Sequence, residues 1–419
     1  MGARFAGREP EGATVNSLGC AIPIPQGEVF GTAAGYTTRR AGMAQYPSMS
    51  RHLRTLLIWT AVIGAGAAAG AAGQRLVLID QDGSGPGGSN QMAMLALLES
   101  PAVKVLGITM VTGNAWRDEE TLHTLRMLEL TGHADVPVAR GAVFPLVRDE
   151  DQTRLETAVD GKVVWLGAWG QGPTMLVETR SGVTPVTPDH QKEHGPYGIP
   201  TLPEGMPKTK PIDEDASHFL VRQVHAHPHE VTIYAAGPMT NIALAIAIDP
   251  EFAALTRGIV LMGGSVNPHT DDPEFATDPT HEFNFWFDPE AAQNVLRADW
   301  PRIDVTTVDV SVKAMFTQSL VDEISKSQKP SAKYITAWNQ ERYYMWDELA
   351  ACAWLDPSLI TSEKLLYMDV DLSHGQSYGD TLTWTEKLKP ATKVRLVHAQ
   401  MDVDLTRFQK MFVGLMTGK

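Results

Sequence analysis

From residue 75 onward, short β-branched apolar runs alternate with stretches of helical period. Arg75–Asp80 (RLVLID) is continuously apolar until it ends on an acid, the pattern of a strand buried on both faces. Gln91–Leu98 reads as a helix, Val103–Val111 as a second strand, and Asp118–Thr131 as an amphipathic helix with Asp118 as N-cap and Gly132 as its stop. Val136–Ala139 and His229–Ala236 read as further strands, the latter followed by a helix over Asn241–Ile248. Gly258–Met262 and Ile303–Val310 complete the strands, and Asp288-Pro289 starts a helix, with an acid as cap and proline at the first helical position. Two more helices are expected near 317–327 and 333–355. This alternation predicts an α/β fold: a Rossmann-like, mostly parallel sheet with helices on both faces. Residues 148–214 break the rhythm, being rich in Pro, Gly and Thr with little periodicity, and read as a long insertion.

The first 73 residues read differently. Residues 1–48 are rich in Gly, Ala and Arg and show no period, and are read as disordered or as an over-called gene start. From Met49 the layout is that of a secretory signal peptide: Arg51, His52 and Arg54, an apolar stretch from Leu56 to Ala69, then small residues up to Gly73. The apolar stretch is short for a spanning helix, so the mature domain, residues 74–419, is expected to be secreted and free of the membrane after cleavage. The 419-residue chain carries a net charge of −14 without any basic run, which argues against a nucleic-acid partner. Its two cysteines, Cys20 and Cys352, exclude a disulfide framework and a cysteine-based zinc site.

Candidate chemistry gathers where the first strand ends. Asp80-Gln81-Asp82 runs into a glycine loop, Gly83 to Gly88 (GSGPGG), then Ser89-Asn90 and a helix. In open α/β sheets ligands bind at the carboxyl ends of strands, and paired carboxylates there suit a hard cation with oxygen ligands. A rival reading takes Gly83, Gly85 and Gly88 as a dinucleotide-binding fingerprint. Against it, Asp80 and Asp82 would repel a pyrophosphate, and the second strand ends in VTGN, with no acid to hold a ribose.

The stretch from Val77 to Asn114 resembles the opening of the inosine/uridine-type nucleoside hydrolases. Further segments match in the family's order: His194–Gly198 (HGPYG), Ala236–Asn241 (AGPMTN), Met262–Gly264, Glu282–Asn284 (EFN) with Asp288–Ala292 (DPEAA), and Asp347–Ala350 with Leu355–Leu359 (LDPSL). The resemblance covers about residues 75–415 and implies the nucleoside hydrolase fold and hydrolysis of the N-glycosidic bond of ribonucleosides to ribose and free base. It implies Ca²⁺ as cofactor, with Asp82, Asn90, Asp347 and the Ala236 carbonyl as metal ligands and Asp82 as the catalytic base for a calcium-bound water. By position it assigns the ribose to Asn114, Glu282 and Asn284, adds Ser89 and Trp346 to the substrate site, and implies a homo-oligomer. Cleavage of this kind passes through an oxocarbenium-like sugar, which nearby carboxylates stabilise. Three departures stand out. The family's Asp pair is Ser89-Asn90 here, the glycine loop is longer, and Trp346 replaces a histidine that helps protonate the leaving base. They point to a divergent secreted subgroup, and they keep a catalytically weak nucleoside-binding protein as the alternative, with a dinucleotide-dependent enzyme behind it.

Overall fold

The structure, a computed structural model, describes residues 73–161, 165–170, 175–179, 182–186, 195–339 and 343–419. The segments read as a disordered lead and a signal peptide lie outside these residues apart from Gly73, and so does His194. Among the described residues no helix is long and apolar enough to cross a membrane.

A strand with an unbroken apolar run must be covered on both faces. The first, β1 (Arg75–Gln81), with Leu76–Ile79 apolar, is so covered. Its side chains alternate: Val77 and Ile79 enter one core with helices Gly88–Leu98 and Trp346–Leu355, and Leu78 enters the other with Ala216–Ala226 and Thr240–Ile248. The strands that follow in the main sheet are β2 (Val103–Met110), β3 (Val138–Arg140), β4 (Val231–Ala236), β5 (Gly258–Met262), β6 (Ile303–Thr306), β7 (Ile360–Val370), β8 (Thr381–Trp384) and β9 (Arg395–Val403). They form one nine-stranded sheet in the order β8-β7-β9-β6-β5-β4-β1-β2-β3. The strands from β3 to β6 and β9 are parallel, while β7 runs antiparallel to both β9 and β8. The chain walks outward from β1 to β3 and then restarts on the other side at β4. The switch point, where ligands bind in such sheets, therefore lies between the carboxyl ends of β1 and β4.

The α/β alternation holds, and the departures are local. The helix expected from Gln91 begins at Gly88, because Asn339 accepts its first free N–H (Gly88 N to Oδ1, 2.7 Å). Asp118 lies in the first turn of helix Arg117–Thr131 and does not cap it; the Thr112 hydroxyl accepts from Arg117 N at 3.0 Å. The strand expected to run to Val310 stops at Thr306, and Val308–Ser311 turns helical so that Asp309 accepts from Val266 N and Asn267 N. The long helix expected over 333–355 is two, Pro330–Trp338 and Trp346–Leu355, separated by a short strand, Tyr343–Tyr344, paired with Met315–Phe316.

The stretch read as an insertion, residues 148–214, is not structureless where it is described. It holds a helix, Glu150–Asp160, capped by Asp149 (Gln152 N to Oδ1, 2.7 Å), a 3-10 turn, Gly167–Trp169, and a hairpin of Met175–Thr179 with Gly182–Val186. Arg148 ties its start to the body. Its guanidinium lies over Trp286 and Tyr378 at 4.6 and 4.3 Å from the ring centres and donates to Glu156 and to the Tyr378 carbonyl.

Candidate active site

The register of β1 decides which side chains meet. Asp80 lies beside Thr109 of β2 and Ala235 of β4, and Gln81 beside Met110 and Ala236. Asp80 therefore faces the layer that holds Asn241, whose Nδ2 donates to it at 2.8 Å while the Thr109 hydroxyl donates to the same oxygen. Gln81 faces the opposite layer. Its Nε2 donates to Asp347 Oδ2 (3.3 Å), and its Oε1 accepts from Asp82 N (3.2 Å) and Asn90 Nδ2 (2.8 Å). Asp82, just past the strand, stands at the switch point.

The Asp82 carboxylate is buried and receives a donor on each oxygen: Asn114 N to Oδ2 at 3.0 Å and Asn90 Nδ2 to Oδ1 at 2.7 Å. Gly113 leaves no room for a side chain beside it, and Gly237 leaves little on the other side. A Cβ on Gly113 would lie 2.2 Å from Asp82 Oδ2, and one on Gly237 would lie 3.1 Å from Oδ1. Asp347 enters from the start of helix Trp346–Leu355, whose first turn is held by Tyr234, donating to the Asp347 carbonyl at 2.7 Å, and by Ser89, accepting from Asp347 N at 2.9 Å. Burial pushes the Asp82 carboxyl well above the usual range, and the neighbouring Asp347 and Glu282 raise it further. Burial likewise lifts Asp347 to about 8 and Glu282 to about 7. Asp347 and Glu282 raise Asp82, and Glu282 raises Asp347, so ionisation of all three is opposed until positive charge arrives there.

The structure brings Asp82, Asn90, Asn114, Ala236 and Asp347 together, with Glu282 in electrostatic range. It alters three expected roles. Asn90 reaches the Ala236 carbonyl (3.4 Å) and Asp82 with its amide nitrogen, and an N–H cannot ligate a cation. The Ser89 hydroxyl is committed to Glu348, to which it donates, and to Asp347 N, so it serves the helix start and not a substrate. Glu282 caps helix Phe283–Phe287, accepting from Asn284 N, Phe285 N and Gly264 N at 2.9, 3.1 and 2.9 Å, which leaves one of about four lone-pair positions for a hydroxyl. Asn284 donates Nδ2 to the Met262 carbonyl at 3.0 Å, and its Oδ1 remains as the acceptor end. Trp346 is half-buried in an aromatic group with Phe275 and Tyr344, at centroid distances of 5.7 and 4.8 Å.

Sequence reasoning missed Gln81, Gly113 and Trp165. The period of two already placed Gln81 opposite its flanking acids, on the side from which Asp347 arrives. Trp165 had no signal: it sits in the aperiodic insertion, yet its indole Nε1 donates to Asn114 Oδ1 at 2.7 Å. Another trio not singled out, Asp278, His281 and Asp380, brings ligating atoms within 4.8 Å of one another. Against the dinucleotide reading, two of the N–H groups at the helix start that a pyrophosphate would use are taken, Gly87 N by the Tyr334 hydroxyl at 3.0 Å and Gly88 N by Asn339.

A model of the inosine-uridine preferring nucleoside hydrolase family matches residues 77–410. Uridine nucleosidase 1 of Arabidopsis thaliana is 28% identical over 302 residues, covering 69% of this chain and 76% of the relative. A pyrimidine-specific ribonucleoside hydrolase of Citrobacter koseri is 32% identical over 241 residues, covering 57% of this chain and 61% of the relative. Among solved structures, a plant nucleoside hydrolase superposes with a TM-score of 0.62 at 25% identity, over 82% of this chain and 99% of its own. A purine-preferring ribonucleoside hydrolase from Gardnerella vaginalis shares the fold, with a TM-score of 0.61 at 21% identity over 82% of this chain and 98% of its own.

Proposed function

The chain belongs to the inosine-uridine preferring nucleoside hydrolase family, and from that premise we propose that it cleaves the N-glycosidic bond of ribonucleosides with water, releasing ribose and free base. The observation that carries the reading is the meeting of Asp82, Asp347 and Glu282 at the sheet's switch point.

Asp82 is the proposed general base. Both of its oxygens are already aligned by donors, so the carboxylate is held in one orientation while it accepts a proton from water. Asn114, Glu282 and Asn284 are the proposed ribose ligands, with Glu282 and the Asn284 Oδ1 as acceptors for hydroxyls. As the glycosidic bond breaks, the sugar gains positive charge, and the carboxylates around it stabilise that charge at a site shielded from water. Trp346, one residue before Asp347, is proposed as an aromatic wall for the base. Ser89 is a positioning residue for Asp347.

The donor set fits a hard divalent cation: two carboxylates, Asp82 and Asp347, and the Ala236 carbonyl, all oxygen. Calcium held there would neutralise the clustered carboxylates, orient the ribose diol and acidify a neighbouring water. The amide nitrogen that Asn90 turns toward these oxygens favours a second reading, a nucleoside-binding protein of weak turnover. The proposal includes export, supported by the signal-like text of residues 49–73, and self-association, supported by the resemblance alone.

Inosine and uridine, assayed separately for free base and reducing sugar with calcium and with EDTA, test the proposal. Equimolar base and ribose, diminished by EDTA and restored by calcium, is the expected result. Saturable nucleoside binding without product favours the second reading.

A further inference from the structure

Breaking an N-glycosidic bond sends its electron pair to the base, which leaves poorly unless a proton reaches it as the bond opens. The groups assigned so far supply none. Asp82 takes a proton from water, and Asp347 belongs to the cation's donor set. Glu282 is held as an acceptor by three backbone N–H groups. In the aromatic wall, Trp346 has only an indole N–H, which is not an acid. The Tyr344 hydroxyl already donates to Asp272 Oδ2 at 3.1 Å, and burial together with Asp272 pushes it up to about 12.

One carboxyl beside this wall is uncommitted. Asp272 caps the short helix Pro273–Thr277, its Oδ1 accepting from Glu274 N at 3.1 Å while its Oδ2 takes the Tyr344 hydroxyl. Phe275, buried, packs edge-on to Trp346 at 5.7 Å. Glu274 is thus held between two residues that contact the wall, and it lies close enough to Glu282 for that carboxylate to raise it. Its side chain is 19% exposed, and among the described residues no hydrogen bond reaches its carboxyl; its one ion-pair contact is His281 Nε2 at 3.7 Å. Burial lowers that imidazole to about 4, Asp278 opposing and Arg148 assisting, so it is neutral at pH 7 and does not hold Glu274 ionised. Burial, Asp272 and Glu282 raise Glu274 to about 8, so it carries a proton at neutral pH.

We propose that Glu274 is the catalytic acid of the cleavage, giving its carboxyl proton to the leaving base. The inference rests on the hydrolase reading above. The water oxygen bonds to C1′ and a water proton passes to Asp82. The C1′–N bond breaks with its electron pair staying on the base, and the Glu274 proton neutralises it. Asp82 then releases its proton to solvent, and Glu274 takes one up.

The test compares two substrates on the full-length wild type and Glu274→Gln: uridine, whose base needs a proton, and p-nitrophenyl β-ribofuranoside, whose nitrophenolate leaves without one. With uridine kcat should fall by about 10²–10⁴-fold, the usual worth of a general acid, and with the nitrophenyl riboside by less than about threefold. Parallel losses on both substrates, as a purely structural or ribose-binding role would give, or an unchanged uridine rate, overturn this inference alone. A wild type that cleaves neither substrate overturns it together with the hydrolase reading. If Glu274→Gln does not fold, the pH profiles of the wild type answer instead. Uridine turnover should fall as pH climbs past about 8 while nitrophenyl riboside turnover does not. Coincident alkaline limbs would overturn the proposal.

Discussion

Gly113→Ala tests the packing of the site with a single methyl group. The new Cβ would sit 2.2 Å from Asp82 Oδ2 and 2.7 Å from both Asp82 Cβ and Pro238 Cδ. That is more than about 1 Å short of ordinary contact, so something must move. The Gly113 backbone cannot retreat: its N–H donates to the Ala115 carbonyl at 3.2 Å and its carbonyl accepts from Ala168 N at 2.8 Å. Asp82 is blocked on its far side by the close approach of Gly237. The carboxylate must therefore tilt out of the line set by Asn90 and Asn114. Overpacking of this kind costs about 1–3 kcal/mol, and a 1 Å misplacement of a reacting group costs about 10²-fold in rate. Gly113→Ala should thus melt a few degrees lower and lose about a hundredfold in kcat, measured by base release and by thermal denaturation. Gly88→Ala is the control. It has open space for a Cβ but a φ of +79°, so it should cost about 1 kcal/mol of strain and leave kcat in place. If Gly113→Ala keeps more than about a tenth of kcat at an unchanged melting temperature, Asp82 is not confined as described.

Asp82→Ala should lower kcat by about 10²–10⁴-fold, the usual worth of a general base, and a folded variant with near-normal turnover removes Asp82 from that role. Asn90→Asp should tighten calcium by at least about tenfold, since it puts a charged oxygen where an amide nitrogen now stands; calorimetry showing no gain would place Asn90 outside the cation's reach. In EDTA, melting temperature should fall as pH rises from about 5 to 8. Burial raises Glu282 to about 7 and Glu274 to about 8 from 4.5, so each keeps a proton the unfolded chain has released, and its stabilisation is present below 4.5 and lost as pH climbs through the folded value. Glu99 and Glu129, lowered to about 2, act only below that window, and His281, lowered to about 4, opposes the trend only up to its unfolded value of 6.5, so a flat or rising melt between pH 6.5 and 8 contradicts the assignment.

The buried half of the sheet was legible because its strands must be apolar on both faces; β1 and β5 can be read straight from RLVLID and GIVLM. The strands β7 to β9 were not, since β7 is solvated over Thr361–Leu365 and carries Glu363 and Lys364, which hides its pairing with β9. Asp82 and Asp347 were legible through motifs that fall at strand and helix ends. The direction in which Asn90 points was not, because it depends on acceptors from separate elements, Gln81 and Asp82 at the end of β1 and the Ala236 carbonyl of β4. Ser89 was misassigned for a related reason. A hydroxyl beside a ligand loop suggests substrate, but here it meets the start of a helix more than 250 residues later in the chain, with Asp347 N and Glu348 as partners.

In the proposed reaction this site delivers water to the anomeric carbon of a ribonucleoside. Uridine incubated with the enzyme and calcium in H₂¹⁸O, with and without inorganic phosphate, should give uracil and ribose carrying one ¹⁸O at C1′, at a rate indifferent to phosphate. Formation of ribose 1-phosphate, a requirement for phosphate or a nicotinamide cofactor, or recovery of intact uridine after prolonged incubation would contradict it.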